Sequence, residues 1–356
     1  MTIGIAAAGT GGHVFPALAV AEALEKLGTA REDIVFFGGD RIEATAVPEA
    51  GYELVSVDVK GLVRTVSIEN LGVLAGVVRS SRRIRREIAE RGVTAMLAMG
   101  GYVTGPAALA ARRARVPLFL HEQNAVPGRA NRLAARLAQK VFVAFPAAAA
   151  ALPRTEVVGN PLRAALLADP PTVGAARARY GLDPGRPVVG ILGGSQGADA
   201  LNHAAERLVA AEPAYQVLHL AGDRQHARWS ELSAGVAGWT VVPFEHDMRF
   251  FYAATDLVVA RAGALTVSEL AATGTTAVLV PYPHASSHQD ANAAVLTDAG
   301  GSVVVPQSEL EARLADEIAR ALEPAELTRR RAATAAVGRP DAAGRVAAAL
   351  LEAAGA

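Results

Sequence analysis

A chain of 356 residues is long enough for two domains of ordinary size, and its composition, 51% hydrophobic with few aromatic residues, favours an α/β protein over a β-sandwich. The formal net charge is zero, so the chain has no overall field that would attract nucleic acid, and we expect no nucleic-acid partner. The absence of cysteine excludes disulfides, thiolate metal sites and cysteine nucleophiles.

The first half of the chain alternates short apolar segments with alanine-rich helical segments. This alternation predicts a parallel sheet that is covered by helices. The predicted strands are Ile3–Ala8, Ile34–Phe37, Leu54–Val57, Ala95–Met99, Leu118–His121 and Val141–Ala144. The predicted helices between them include Pro16–Leu27, Ile68–Glu90, Pro106–Ala114 and Arg129–Ala138.

The alternation pauses after residue 150 and then begins again. Residues 153–171 are rich in proline and glycine, as is typical of an interdomain connection. Further strands are predicted at Val188–Leu192, Gln216–Leu220, Thr240–Val242, Leu257–Val259, Ala277–Val280 and Ser302–Val305. We therefore expect two Rossmann-like, doubly wound domains facing a cleft, residues 1–160 and 161–340, with a final helix over 341–356 that packs back on the first domain.

Two glycine-rich turns follow strands of the first domain. Residues 9–12 read Gly-Thr-Gly-Gly, and residues 100–105 read Gly-Gly-Tyr-Val-Thr-Gly. Glycines after a strand let backbone amides approach phosphate oxygens at the start of the next helix, although a tight turn without a ligand has the same pattern. Val14 stands where the dinucleotide fingerprint requires its third glycine, so that fingerprint is incomplete. His13, at the start of the helix, is a candidate functional histidine.

Four polar residues, His121-Glu122-Gln123-Asn124, follow the strand that ends at residue 121. Because the carboxyl ends of parallel strands share one edge of a sheet, we expect this cluster beside the two glycine-rich turns. Buried polar groups can also simply satisfy one another, and that alternative stays open.

The second domain repeats this arrangement. Residues 193–197, Gly-Gly-Ser-Gln-Gly, offer amides and a hydroxyl to a diphosphate. A second helix is expected to start near Ala264, and Glu269 lies one turn into it. The two carboxylate oxygens of Glu269 can accept both hydroxyls of a ribose, although the helix dipole alone also favours an acid near a helix start. The amide side chains of residues 289 and 292 suit sugar hydroxyls.

The predicted helix Ile68–Glu90 is basic and amphipathic. It carries arginines at helical spacing together with apolar neighbours: Leu71, Leu74, Val78, Arg79, Arg82, Arg83 and Arg86. Such a helix can lie on an anionic bilayer surface, or it can be an ordinary solvated helix whose apolar stripe enters the core. No stretch approaches the ~20 apolar residues that span a bilayer, and the N-terminus lacks the basic region of a signal peptide. We expect peripheral contact with the cytoplasmic face of the membrane.

In this order, these motifs resemble those of the bacterial N-acetylglucosaminyltransferases that convert lipid I to lipid II in peptidoglycan synthesis. The resemblance covers nearly the whole chain and includes residues 9–16, 100–102, 121–124, 159–161 with Arg163, 193–197 and 263–269. It implies the GT-B fold and inversion of configuration, with no cofactor and no metal held by an Asp-x-Asp motif, which this chain lacks. It also implies a lipid I acceptor and a set of residues that bind UDP-N-acetylglucosamine: Thr10, Gly11, Gly12, Asn124, Arg163, Ser195, Ala264, Leu265, Thr266, Val267, Ser268, Glu269 and Gln289. Glu245 departs from the family, which often has an apolar residue there that contacts uracil through its backbone.

Inversion requires a base that removes the proton of the acceptor hydroxyl. His13 is the first candidate for this base and Glu122 the second. Two other functions fit parts of the pattern: a UDP-N-acetylglucosamine 2-epimerase of related fold, and a nucleotide-sensing scaffold without enzymatic activity. The basic helix has no role in the epimerase, and the polar groups at both sheet edges argue against the scaffold.

Overall fold

The structure, a computed structural model, describes residues 1–57, 69–194, 197–283 and 288–355, with the side chains of residues 69–74 outside the description. The described residues form two compact units. One comprises residues 1–164 and 339–356, and the other comprises residues 165–338.

The first unit contains a parallel sheet of seven strands in the order β3-β2-β1-β4-β5-β6-β7. The strands are β1 (Thr2–Ala6), β2 (Ile34–Gly38), β3 (Glu53–Ser56), β4 (Val93–Ala98), β5 (Leu118–Glu122), β6 (Lys140–Val143) and β7 (Thr155–Val157). The helices are α1 (Gly11–Lys26), α2 (Glu43–Glu49), α3 (Glu69–Glu90), α4 (Thr104–Ala114), α5 (Arg129–Ala134) and α6 (Pro146–Ala149), joined by α16 (Ala342–Gly355) from the chain end.

Both faces of this sheet are buried, as a parallel sheet requires. Side chains of β1 alternate between the two faces. Ile3 and Ile5 pack in the cluster that contains α1 and the Val346 and Leu350 side chains of α16, whereas Ala6 packs in the cluster that contains Ile84 of α3 and several alanines of α4. Helix α16 packs on α1 and β4.

Several elements differ from those expected, among them β7 and α1. Strand β7 lies within the segment that was predicted to be a connection without strands. Its three residues pair with β6 at the edge of the sheet and are only partly buried. Helix α1 begins at Gly11 rather than at Pro16, so the glycine-rich turn merges into the first turn of the helix. Pro16 is tolerated inside the helix at the cost of one backbone hydrogen bond, since it has no amide proton.

The second unit contains a parallel sheet of six strands in the order β10-β9-β8-β11-β12-β13. These strands are β8 (Val188–Leu192), β9 (Gln216–Leu220), β10 (Trp239–Val242), β11 (Leu257–Ala260), β12 (Ala277–Leu279) and β13 (Ser302–Val304). After α7 (Ala164–Leu167), which begins at the last residue of the first unit, the helices are α8 (Val173–Arg179), α9 (Asp199–Ala210), α10 (His226–Ser233), α11 (Met248–Ala254), α12 (Ala264–Thr273), α13 (His288–Asp298), α14 (Leu310–Leu322) and α15 (Pro324–Ala336).

The prediction of two doubly wound α/β units is confirmed. In each sheet the strand order reverses at its centre, between β1 and β4 in one unit and between β8 and β11 in the other. Ligands of open α/β sheets bind outside the carboxyl ends of the strands at this switch point. Across the described ranges, no helix combines the length and apolarity needed to cross a bilayer.

Candidate functional site

The two glycine-rich turns of the first unit are in close contact at the switch point. A Cβ atom on Gly101, which has a φ of +77°, would lie 2.2 Å from the carbonyl oxygen of Ala8. A Cβ on Gly100 would lie 2.6 Å from the ring of His13. Only glycine therefore fits at these two positions, and the second turn packs directly against the first.

His13 lies in the first turn of α1 and is partly exposed. Its Nδ1 atom is 3.2 Å from Oγ1 of Thr10. Burial lowers the pKa of His13 below its ordinary value, an effect that the Glu122 carboxylate, the Ala8 carbonyl and the Glu43 carboxylate partly offset. The imidazole is therefore neutral near pH 7 and able to accept a proton. Gly11 and Gly12 precede it, and their amides have no acceptor within the helix.

A buried carboxylate that sequence reasoning missed, Glu43, connects the turns. It accepts hydrogen bonds from the amide of Gly9 at 3.0 Å, the amide of Gly39 at 2.9 Å and the hydroxyl of Tyr102 at 2.6 Å. Burial raises its pKa, but these hydrogen bonds outweigh burial and the pKa lies below its ordinary value. The sequence feature that could have indicated Glu43 is an acid at the start of the helix that follows β2, at the same edge of the sheet as the glycine-rich turns.

Glu122, the second candidate base, is buried at the end of β5. Its carboxylate accepts hydrogen bonds from the amide of Asn124 at 2.9 Å, the side chain of Asn124 at 3.3 Å, the amide of Gly128 at 3.0 Å and the side chain of Asn131 at 2.8 Å. These contacts hold the loop between β5 and α5 in place. The expected polar cluster is present, and most of the hydrogen-bonding capacity of Glu122 is used within it.

The side chains on either side of Glu122 brace neighbouring segments. The side-chain amide of Gln123 donates to the carbonyl of Met99 at 2.8 Å, which joins this loop to the second glycine-rich turn. His121 is fully buried with Nε2 2.9 Å from the carbonyl of Gly159, and burial lowers its pKa to about 4. Both residues therefore stabilise the edge of the sheet.

Arg163 lies away from the first glycine-rich turn. Its Nε donates to Glu22 at 2.5 Å, and the amide of Ala164 donates to the same carboxylate at 3.0 Å. Glu22 is eleven residues beyond Gly11 on α1, which corresponds to about 16 Å along the helix axis. The guanidinium is partly exposed, so it is accessible although it is ion-paired.

In the second unit, two segments predicted to bind phosphate follow the adjacent strands β8 and β11. Gly193 and Gly194 directly follow the first of these strands, whereas Ser195 lies outside the described residues. Helix α12 begins at Ala264, and Leu265 and Thr266 occupy its first turn. Val267 and Ser268 are buried, so their side chains face the protein interior.

Glu269 points its carboxylate at a buried tyrosine. The hydroxyl of Tyr252, on α11, donates to Oε2 of Glu269 at 2.7 Å. Burial raises the pKa of Glu269 to about 7, although the hydrogen bond from Tyr252 acts in the opposite direction. Oε1 has no hydrogen-bond donor among the described residues, so this carboxylate retains capacity for a ligand.

Two further residues of the second unit fix loops. Oε1 of Gln289 accepts from the amide of Tyr282 at 2.8 Å. Glu245 is buried and accepts from Tyr180 at 2.5 Å, from Arg179 at 3.0 Å and from the amide of Asp247 at 2.8 Å. The side chain of Glu245 is thus turned into the protein.

The basic helix α3 has its described apolar residues on two sides. Ile84 and Ile88 are buried in the core, whereas Val78 is 39% exposed beside the exposed side chains of Arg79, Arg82 and Arg83. Arg86 is exposed and pairs with Glu90 at 2.6 Å. The side chains of Leu71 and Leu74 lie outside the description.

Helix α4 packs against both α3 and α5, so these three helices share one face of the sheet. On α5 and the turn after it, Leu133 is 63% exposed and has three arginines near it in sequence, Arg129, Arg132 and Arg136. This face therefore presents apolar side chains among arginines on two of its helices.

Comparisons with known proteins identify the same family along both units. Residues 3–143 match the model of the glycosyltransferase family 28 N-terminal domain, and residues 188–346 match that of the C-terminal domain. A Clavibacter sepedonicus protein named UDP-N-acetylglucosamine--N-acetylmuramyl-(pentapeptide) pyrophosphoryl-undecaprenol N-acetylglucosamine transferase is 41% identical over 96% of this chain and 94% of its own.

Solved structures agree with this assignment. The crystal structure of Acinetobacter baumannii MurG is 31% identical, covers 99% of both chains and has a TM-score of 0.78. A UDP-GlcNAc 2-epimerase from Neisseria meningitidis also superposes, with a TM-score of 0.68, but at 13% identity it shows a common fold only. The resemblance inferred from the sequence motifs is confirmed.

Proposed function

Because this chain belongs to glycosyltransferase family 28, we propose that it transfers N-acetylglucosamine from UDP-N-acetylglucosamine to lipid I, the undecaprenyl-diphospho-N-acetylmuramoyl-peptide, to form lipid II with inversion of configuration. The observation that carries the proposal is the 41% identity, over almost the full length of both chains, to a transferase named for this reaction. The glycine-rich turns at both switch points support it, because they suit the phosphates of a sugar nucleotide.

We assign the base to His13. In the transfer, the acceptor hydroxyl oxygen forms a bond to the anomeric carbon of N-acetylglucosamine, the bond from that carbon to the diphosphate oxygen breaks, and UDP departs. The hydroxyl proton passes to Nε2 of a neutral His13, while Nδ1 stays beside Thr10 Oγ1. The lowered pKa keeps the imidazole in the form that this step requires.

Glu122 fits a positioning role better than that of a base. It already accepts four hydrogen bonds from residues 124–131, and a proton acceptor must have room for the acceptor hydroxyl. Through Asn124 and the loop that follows, Glu122 shapes the edge of the sheet near His13. In this assignment Asn124 contacts the donor or acceptor, and Glu122 holds it there.

The second unit is assigned to the sugar nucleotide. The amides of Gly194, Leu265 and Thr266 lie at strand ends and a helix start, where they can stabilise the departing diphosphate. Oε1 of Glu269 accepts the ribose hydroxyls, and Gln289 lies near the start of α13 to contact the sugar. Arg163 pairs with Glu22 through Nε, and its remaining guanidinium N–H groups can donate to a phosphate.

The reaction is tested by transfer of radiolabelled N-acetylglucosamine to a short-chain lipid I analogue. We expect lipid II product with the wild-type protein and a 10²–10⁴-fold lower kcat for His13→Ala. His203→Ala, which removes a partly exposed histidine on α9 of the other unit, is the matched control and should retain activity.

Two outcomes would contradict the assignment. Conversion of UDP-N-acetylglucosamine in the absence of acceptor would indicate the epimerase. If the wild-type protein binds UDP but transfers nothing, and His13→Ala changes nothing, the nucleotide-sensing scaffold would be favoured.

We also propose that the face formed by α3, α4 and α5 docks on anionic membrane, since the lipid tail of the acceptor cannot leave the bilayer. Exposed Val78 and Leu133 can enter the headgroup region while the surrounding arginines contact lipid phosphates. Each basic residue near the surface contributes about 1 kcal/mol, so binding should be reversible and sensitive to salt.

Replacing Arg79, Arg82, Arg83 and Arg86 by glutamine should abolish sedimentation with anionic liposomes and spare transfer to a water-soluble acceptor. The control makes the same change of charge in the second unit, at the exposed residues Arg207, Arg224, Arg228 and Arg320. Equal loss of liposome binding in both quadruple variants would show that net charge, rather than this face, determines docking. Retained binding in the α3 variant at low salt would show that the α3 arginines are not required for docking.

A further inference from the structure

Glu43 is a buried acid that accepts hydrogen bonds from neutral groups, namely two backbone amides and a tyrosine hydroxyl. It has no exposed surface, and within the described ranges it forms no ion pair. A buried carboxylate is costly unless its charge is stabilised, and here two amides and a hydroxyl supply that stabilisation. An apolar residue at this position would leave the amides of Gly9 and Gly39 and the hydroxyl of Tyr102 without their acceptor, so Glu43 does more than fill space.

The three donors come from the carboxyl ends of three different strands. Gly9 follows β1, Gly39 follows β2, and Tyr102 follows β4. Both positions need glycine, Gly39 because of a close contact and Gly9 because of its positive φ. A Cβ on Gly39 would lie 2.2 Å from the Tyr102 hydroxyl, and one on Gly9, with a φ of +104°, would lie 3.4 Å from the Tyr102 ring. Glu43 and Tyr102 thus join the turn that leads to His13 to the turn that packs against it.

We propose that Glu43 is a positioning residue for the transfer reaction: by holding Gly9 and Tyr102 together, it sets the place of the turn that presents Thr10 and His13. This inference rests on the proposed function, in which His13 is the base. A reacting group displaced by about 1 Å can lose a factor of 10² in rate, so the fixing of this turn matters for kcat.

The charge of Glu43 also acts on His13. The acidic groups that face the imidazole are Glu122 from β5 and Glu43 from α2, and both raise its pKa. Tyr102 lies between the turns, and burial and the Glu43 carboxylate raise the pKa of its hydroxyl, which is therefore neutral. In the segment before α2, Arg41 lowers the pKa of Tyr102 and Asp40 raises it. Neutralising Glu43 removes one of the two carboxylates, so the pKa of His13 should fall further.

Two variants separate the charge of Glu43 from its hydrogen bonds. Glu43→Gln keeps the shape of the side chain but replaces one carboxylate oxygen by an NH₂ group. This group cannot accept a hydrogen bond, so at least one of the donors loses its acceptor. Tyr102→Phe leaves the charge and both backbone amides in place and removes only the link between the turns. Glu156→Gln, on β7, is the control, because it disrupts a partly buried carboxylate of the same unit that pairs with Lys140 and Arg345.

We expect Glu43→Gln to lower kcat by roughly 10–100-fold, with the KM for UDP-N-acetylglucosamine and the affinity for UDP within about twofold of wild type. The acid limb of the kcat profile should shift to lower pH, because a neutral His13 then persists to lower pH. Tyr102→Phe should lower kcat by about 3–10-fold without moving this limb. The control variant should match wild type in all of these measurements.

The titration of the His13 ring, followed by NMR in the folded protein, gives a readout that does not need turnover. A His13 pKa that is the same in Glu43→Gln and wild type, or a kcat unchanged in both variants, would overturn the inference. A loss of UDP affinity in Glu43→Gln as large as its loss of kcat would also overturn the inference, since it would indicate general disruption of the protein. If Glu43→Gln does not fold, Tyr102→Phe decides: wild-type kcat in that variant overturns the inference. A wild-type protein without transfer activity would refute the proposed function, and the NMR titration would still test the coupling of Glu43 to His13.

Discussion

Glu122 in the first unit and Glu269 in the second are both carboxylates near the carboxyl ends of strands, yet their surroundings differ. Glu122 accepts four hydrogen bonds from the loop that it precedes. Glu269 accepts one, from Tyr252, among the described residues. Burial raises the pKa of Glu269 to about 7 because few donors compensate for its desolvation. Glu43 resembles Glu122 in this respect, with three donors.

We propose that this difference distinguishes a carboxylate that shapes a site from one that binds a ligand. A carboxylate whose lone pairs are already occupied stabilises the backbone around it and has little left to offer a substrate. One that is buried with unused capacity raises the energy of the unliganded protein, and a ligand that donates hydrogen bonds relieves it. Three measurements on Glu122 and Glu269 variants would test this contrast.

Glu122→Ala should destabilise the protein by roughly 3–5 kcal/mol, because it leaves the amides of Asn124 and Gly128 and the side chain of Asn131 without their acceptor. Urea unfolding monitored by circular dichroism measures the loss. Glu269→Ala in the same assay should cost much less, since only Tyr252 loses a partner. Similar losses for the two variants would remove the distinction.

Glu269→Gln should weaken UDP binding by about 1.5–3 kcal/mol for each ribose hydrogen bond lost, measured by calorimetry.

The free energy of unfolding of the Glu269→Gln variant should instead increase at pH 8. The pKa of Glu269 is about 7 in the folded protein and near 4.5 in the unfolded chain, so ionisation costs stability as the pH rises from 4.5 to 7 and fully above 7. Glutamine removes this cost, which is on the order of 1–3 kcal/mol. Unchanged UDP affinity would refute the assignment to the ribose.

The pH dependence of UDP affinity should show the smallest effect. Ionised Glu269 accepts the ribose hydroxyls best, so affinity should fall as the pH drops below 7, by at most tenfold per unit. This dependence should disappear in Glu269→Gln, which has no group to titrate at that position. The UDP diphosphate itself loses charge in the same range, so the comparison between the variant and wild type, rather than either profile alone, is decisive. Parallel profiles would assign the titration to UDP.

Much of the fold could be predicted because its signals are local. Apolar segments of four to six residues mark most of the strands, and the glycine-rich turns mark the start of α1 and the end of β8. Strand β7 was missed because three partly buried residues among prolines carry no periodicity, and its stability comes from β6. Glu43 was missed for a related reason: an acid early in a helix is common, and two of its three donors lie 34 and 59 residues away.

The amino-acid sequence by itself determined the class of this protein: two doubly wound α/β units, glycine-rich turns at strand ends, and the family to which the chain belongs. Hydrophobic periodicity and glycine placement act over a few residues, so they can be recognised without coordinates. Only the tertiary structure decided how each polar side chain is used. In the folded chain, Glu122 and Glu43 accept hydrogen bonds from several donors, and Arg163 pairs with Glu22. One oxygen of Glu269 has no donor among the described residues. These outcomes depend on groups that distant segments bring together, and hydrogen bonds form between neighbours in space, whatever their separation along the chain.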